Sequence, residues 1–119
     1  MPIVRRHHNL DATGQTPGRL ATQIATLLIG KNKADYQPNL DAGDFVRVSN
    51  AGGMVITGKK MDQKMYRHHT GTQRGGLKEI VLKNLWAKDP TKVLRLAVSR
   101  MLPKNRLRTP RLKRLTISK

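Results

Sequence analysis

The sequence predicts an α/β fold, and three observations carry that expectation. Short apolar runs bounded by turn residues stand near the start, in the middle and at the end of the chain. Two longer segments repeat their apolar residues on a 3.6-residue period, and each opens on a polar residue followed by proline, Thr16-Pro17 and Asp89-Pro90. Strand-like runs interleaved with capped helical segments are the pattern of a mixed α/β domain. At 119 residues the chain is long enough to bury one core without disulfide staples, so residues 1–119 are read as a single domain.

The elements follow in order. His8 to Ala12 reads as a short strand, and Thr13-Gly14-Gln15-Thr16-Pro17-Gly18-Arg19 as a turn leading into a helix. In that helix Leu20, Ile24, Leu27 and Leu28, with Ala21 and Ala25, share one face, and Gly30 ends it. Lys31 to Gly43 reads as an ordered loop. Phe45 to Val48 is the next strand, bounded by Asp44 and by Asn50-Ala51-Gly52-Gly53. A second short strand is expected at Met54 to Thr57, in a hairpin with it or beside it in a mixed sheet. From Gly58 to Gly76 the chain is basic, glycine-punctuated and poor in apolar residues, a long loop or arm. Leu77 to Lys88 returns to a helical pattern, with Leu77, Ile80, Val81, Leu85 and Trp86 facing the core. In the Asp89 helix Val93, Leu94, Ala97, Val98, Met101 and Leu102 form one stripe, and Pro103 closes it. Thr109-Pro110 begins a short helix running to about Leu115, and Thr116 to Ser118 adds a last strand.

Charge is the strongest compositional signal. The chain has 24 Lys and Arg against 7 Asp and Glu, a net charge of +17. A compact chain with that surplus repels itself unless a polyanion neutralises it. The densest apolar run, Ile24 to Ile29, falls far short of the roughly 20 residues of a membrane span, so the polyanion is nucleic acid and no membrane partner is expected. The N-terminus, Met1 to His8, lacks the apolar core of a secretory signal, which favours a cytoplasm-like compartment. With no cysteine, disulfides, thiolate metal sites and cysteine nucleophiles are all excluded.

Four constellations invite a chemical role. The turn Thr13 to Arg19 precedes a helix as phosphate cradles do, yet it matches neither GxxxxGK[ST] nor GxGxxG, and an ordinary strand-to-helix turn is the favoured reading. The pairs His7-His8 and His68-His69 lack metal-ligand spacing, because neighbours on a strand point to opposite faces. In a basic loop His68 and His69 suit phosphate or ribose contacts better. Asp41 and Asp44 are close enough to be imagined as an acid–base or Mg²⁺ pair, but acids so outnumbered usually serve as salt-bridge partners, caps or turn formers. The basic clusters Lys59 to Arg74 and Arg100 to Lys119 remain, and Lys and Arg there are the groups that neutralise phosphate. The aromatic residues are only Phe45, Trp86, Tyr36 and Tyr66, and Phe45 and Trp86 are expected in the core. Folded RNA gripped by shape and backbone therefore fits better than a single strand stacked on rings, while charge alone leaves DNA open.

Several motifs in register carry a resemblance. Asp11-Ala12-Thr13-Gly14, Gly18-Arg19-Leu20-Ala21, Gly30-Lys31, Lys33-Ala34-Asp35-Tyr36, Gly43-Asp44 and Asn50-Ala51 are followed by Thr57-Gly58-Lys59-Lys60 and by Tyr66 before His68-His69-Thr70-Gly71. Gly75-Gly76, Ala97-Val98 and Met101-Leu102-Pro103-Lys104-Asn105 complete the series. Together they resemble the universal large-subunit ribosomal protein thirteen family, bacterial type, from about residue 9 to 117. The chain departs from it in His8-Asn9-Leu10, where aromatic residues are frequent, and in shorter ends.

The resemblance implies a three-layer α/β/α domain around a small, mainly parallel four-stranded sheet, with a basic loop (59–76) and a basic C-terminal segment (103–119). It also implies a structural constituent of the large ribosomal subunit that binds ribosomal RNA and supports assembly, without catalysis and without a cofactor. Its partners would be large-subunit ribosomal RNA and neighbouring ribosomal proteins, with no small-molecule substrate, on a cytoplasmic ribosome or an organellar one. Lys59, Lys60, Lys64, Arg67, His68, His69 and Arg74 are the expected RNA contacts of the first segment. Arg100, Lys104, Arg106, Arg108, Arg111, Lys113 and Arg114 are those of the second, and the family's turn after the long helix adds Asn105. Two other readings stand beside this one: a small phosphate- or nucleotide-handling enzyme built on the Thr13–Arg19 turn with Asp41 or Asp44, and a DNA-architectural protein.

Overall fold

A computed structural model of the chain describes residues 4–34, 36–58, 60–69 and 77–119. It is an α/β fold. A three-stranded parallel sheet has the order β1 (His7–Asp11), β2 (Phe45–Ser49), β5 (Leu115–Ile117). β3 (Met65–His69) and β4 (Leu77–Val81) form a separate antiparallel pair, with Met65 opposite Val81 and His69 opposite Leu77. The expected single four-stranded sheet is thus three parallel strands plus a hairpin. Met54 to Thr57, expected as a strand, is not one: the chain makes a 3-10 turn at Ala51–Gly53 and then runs on without ladder pairing.

α1 (Pro17–Ile29) fills the crossover between β1 and β2, as a parallel pair requires. Pro17 occupies its first turn, and Gly30 closes it in the left-handed region, φ 88°, donating its N–H to Thr26 O. Leu20, Ala21, Ile24, Ala25, Leu28 and Ile29 are its buried face. They meet Val46 and Val48 of β2, Leu115 of β5, and Leu94, Val98 and Leu102 from α4 (Pro90–Met101) and the residue that ends it. α4 starts as the sequence predicts, with the Asp89 carboxylate accepting from Thr91 N at 3.1 Å and Thr91 Oγ1 at 2.6 Å. Alternation sends the opposite residues of the strands outward: His7, Asn9, Phe45, Arg47 and Thr116 are exposed. Among the described residues no helix covers that face.

The segment expected as one helix, 77–88, is a strand followed by α3 (Leu82–Lys88). Leu82 and Leu85 of α3 join Tyr66 and Val93 in a second small cluster, to which α2 (Lys60–Gln63) adds Met61. Trp86 packs against both clusters and so ties the hairpin region to the main core. Phe45, expected inside, is 38% exposed and stacks on His7 with centroids 4.8 Å apart. It shares its face with Arg47, which is exposed.

Candidate nucleic-acid interface

The last helix, α5 (Arg108–Lys113), decides where the C-terminal cations go. It places Arg111, within the helix, and Arg114, which caps it, beside the C-terminal end of α1. Both are buried, at 1% and 8% exposure. Arg114 forks onto the Asp41 carboxylate at 2.5 and 2.7 Å and donates to Leu28 O at 2.8 Å and Asp44 O at 3.3 Å. Arg111 Nε lies 3.8 Å from Asp41 Oδ1. Lys33 donates to Asp44 Oδ1 at 2.8 Å, His8 Nε2 lies 2.8 Å from Asp44 Oδ2, and Arg5 donates to Asp41 O and Gly43 O. The loop 41–44 is therefore clamped by side chains from the N-terminus, α1's end and α5. Gly43 is obligatory there, since a Cβ would stand 1.7 Å from Leu28 O.

That clamp also fixes the chemistry of the two acids. Burial works against the Asp44 carboxylate, but hydrogen bonds from Lys33, His8 and the Arg6 amide outweigh it and hold its pKa down at about 2. Paired with Arg114 and with Lys33 respectively, Asp41 and Asp44 are structural counterions. The Thr13–Arg19 turn sits at the other end of α1, about 20 Å away by the rise of a 13-residue helix. Turn and carboxylates are thus not one site. Among the described residues no three His, Asp or Glu side chains gather at metal-binding distance.

Arg111 and Arg114, both expected among the RNA contacts, are enclosed by protein, Arg114 forked onto Asp41 and Arg111 with its Nε 3.8 Å from the same carboxylate. The other residues of that segment are placed differently. Lys104, Asn105, Arg106 and Lys113 are exposed and Arg108 is half-buried. Asn105 Oδ1 accepts from Leu107 N at 3.0 Å, shaping the turn that presents Lys104 and Arg106. Arg100 projects from α4 with its guanidinium 5.2 Å from the Tyr66 ring centroid, and Lys64 Nζ lies 5.5 Å from the same centroid. Tyr66 is buried, and burial raises its hydroxyl pKa while the Arg100 charge opposes the rise.

In the first segment the described residues are ordered as α2 and β3, not as the loop expected. Lys60 and Lys64 are exposed. Arg67 is exposed too and donates to Glu79 across the hairpin at 2.9 Å. β3 carries His68 and His69 opposite Lys78 and Leu77. Lys59 and Arg74 lie outside the described residues. One cation absent from the expected set belongs with these: Arg19, exposed on α1's first turn, near Lys60, Lys64 and Arg100 around a common hollow. Its sequence signal was the Gly-Arg step after Pro17, read there as part of an ordinary turn.

Comparison with known proteins gives this surface its context. The family model described as ribosomal protein L13 matches residues 5–119. The chain is 51% identical over 115 residues to a Clostridioides difficile protein named large ribosomal subunit protein uL13, covering 97% of this chain and 80% of that one. Proteins of the same name from Chloroflexus aggregans and Thermotoga maritima are 52% and 48% identical over the same length, with 80% and 76% of each covered. No helix of the described residues is long and apolar enough to cross a membrane. With the matched region embracing both the clamped core and the exposed cations, the chain belongs to the ribosomal protein L13 family.

Proposed function

We infer that this protein is a structural constituent of the large ribosomal subunit that binds ribosomal RNA, has ribosomal proteins as neighbours and performs no catalysis. Family membership supports the role, and its bacterial relatives support a ribosome in the cytoplasm. The observation that carries the mechanism is a division of cations: Arg111 and Arg114 neutralise acids inside, while Lys60, Lys64, Arg100, Lys104, Arg106 and Lys113 are exposed. Exposed Lys and Arg neutralise phosphate without reading sequence, which suits a protein that recognises one folded RNA by shape. In this reading residues 1–119 work as one domain with two basic segments, 59–76 and 103–119. Lys59, Arg67, His68, His69, Arg74, Asn105 and Arg108 act with the exposed cations at the RNA, and no membrane or small-molecule substrate takes part.

Sedimentation of the tagged protein from cell lysate tests the role. The protein is expected to travel with the large subunit and to stay there through a moderate salt wash. Recovery only at the top of the gradient, free of ribosomal RNA, would contradict it.

A further inference from the structure

Between the first turn of α1, residues 55–57, the α2–β3 corner and one flank of α4 lies a cavity of about 690 Å³. That volume falls within the roughly 300–1,000 Å³ usual for sites that enclose small organic molecules. Arg19, Lys60, Lys64 and Arg100 line it, and among the described residues no Asp or Glu does. Among the described residues none of these four forms an ion pair. Like charges gathered round one hollow repel, and an anion relieves the repulsion. The first turn of α1 adds to the field, since it holds no acidic residue and Thr16 makes no side-chain cap. Other walls are apolar: Val55 and Met101, 45% and 43% exposed, border the hollow together with Ala97 and Leu82. Met101 is held to α1 through Thr22 Oγ1 at 3.4 Å. Tyr66 positions Lys64 and Arg100 beside that apolar surface.

We propose that this groove seats one unstacked ribonucleotide of the bound RNA, its base against Val55 and Met101 and its phosphates among Arg19, Lys60, Lys64 and Arg100. The inference rests on the RNA-binding reading and adds to it a discrete pocket. A base paired within a helix cannot enter such a hollow, so the RNA feature selected is a bulge or loop that turns a base outward. The apolar walls then supply what phosphate contacts alone lack, a preference for a place where stacking is already broken.

The test combines ultraviolet crosslinking of the full-length chain to large-subunit ribosomal RNA, read by mass spectrometry, with filter-binding affinities for Arg19→Ala and Val55→Glu. Both positions are exposed, and thermal melting verifies folding. Nucleotide adducts are expected on Tyr66 or Met101. Arg19→Ala is expected to weaken binding about 5- to 10-fold and to make the salt slope shallower by about one contact. Val55→Glu places a carboxylate in the hollow; it is expected to weaken binding at least about 10-fold and abolish the adducts. Wild-type affinity in both variants, with adducts only outside the groove, would overturn the groove and leave the RNA-binding reading standing. Absence of any binding by the unaltered protein would remove both. Adenosine monophosphate tests the free nucleotide as occupant: saturation of the groove at micromolar concentration would overturn the assignment to an RNA strand, and no saturation is expected.

Discussion

The two basic segments of this chain use similar side chains in opposite ways. In the C-terminal segment Arg111 and Arg114 turn inward and hold the 41–44 loop against the end of α1. In the first segment Lys60, Lys64 and Arg67 all stay exposed, and the acids nearby, Asp62 and Glu79, are exposed as well. What separates the two is the location of acid. The Arg114 guanidinium reaches a half-buried carboxylate and two backbone carbonyls, whereas Arg111, buried beside it, has the Asp41 charge 3.8 Å from an Nε that makes no hydrogen bond. Density of charge along a sequence therefore says that an anion is near, but not whether it is another molecule or the protein's own aspartate.

Breaking the inward half of this contrast should give the largest effects. Gly43→Ala drives a methyl group into the Leu28 carbonyl and is expected to cost more than about 4 kcal/mol, seen as loss of the folded state in thermal or urea unfolding. Arg114→Met keeps the volume but leaves Asp41 short of its fork, for an expected loss of about 3 kcal/mol in urea unfolding. Arg106→Ala, on an exposed side chain nearby in sequence, should leave the same unfolding curve within about 0.5 kcal/mol. Equal losses at positions 106 and 114 would erase the distinction.

Acid titration probes the same clamp more gently. The Asp44 pKa is lowered from its ordinary 3.8 to about 2, so its ionised form is favoured by folding. The stabilisation is complete above about pH 4 and is lost as pH falls toward 2, about 2 kcal/mol in all. Asp44→Asn should flatten that part of a stability-against-pH curve. The outward half offers only small changes: Glu79→Ala removes an exposed pair and should alter stability by less than about 1 kcal/mol, with salt masking even that.

Much of the frame was legible in the sequence because local chemistry dictates it. Asp89-Pro90 and Thr16-Pro17 mark helix starts, and Gly30 marks an end, for reasons contained within a few residues. The strand at 77–81 was not legible. Its apolar residues suit either period, and pairing with β3, set by tertiary contact, decided the matter. Phe45 was misjudged by residue type when alternation with Arg47 already placed it on the outer face. At the surface, the exposure of Lys60, Lys64 and Arg67 and of the turn 104–106 could be read from charge. Arg114 could not, because its partner Asp41 lies 73 residues away and nothing local announces the pair. Arg19 stands in the sequence only as part of a turn that resembles a phosphate cradle, and one arginine there carries little signal until the fold brings Lys60, Lys64 and Arg100 beside it.

The central claim is that exposed cations hold ribosomal RNA while the buried ones hold the fold. Affinity for large-subunit ribosomal RNA, measured as log K against log salt, tests it most directly in the unaltered protein and in Lys104→Ala/Arg106→Ala. With about eight phosphates neutralised, the unaltered protein should show a slope of roughly −6 to −7, and the double variant a slope shallower by roughly 1.4 to 1.8 at unchanged melting temperature. A slope near zero, or a double variant that keeps the full slope, would contradict the account.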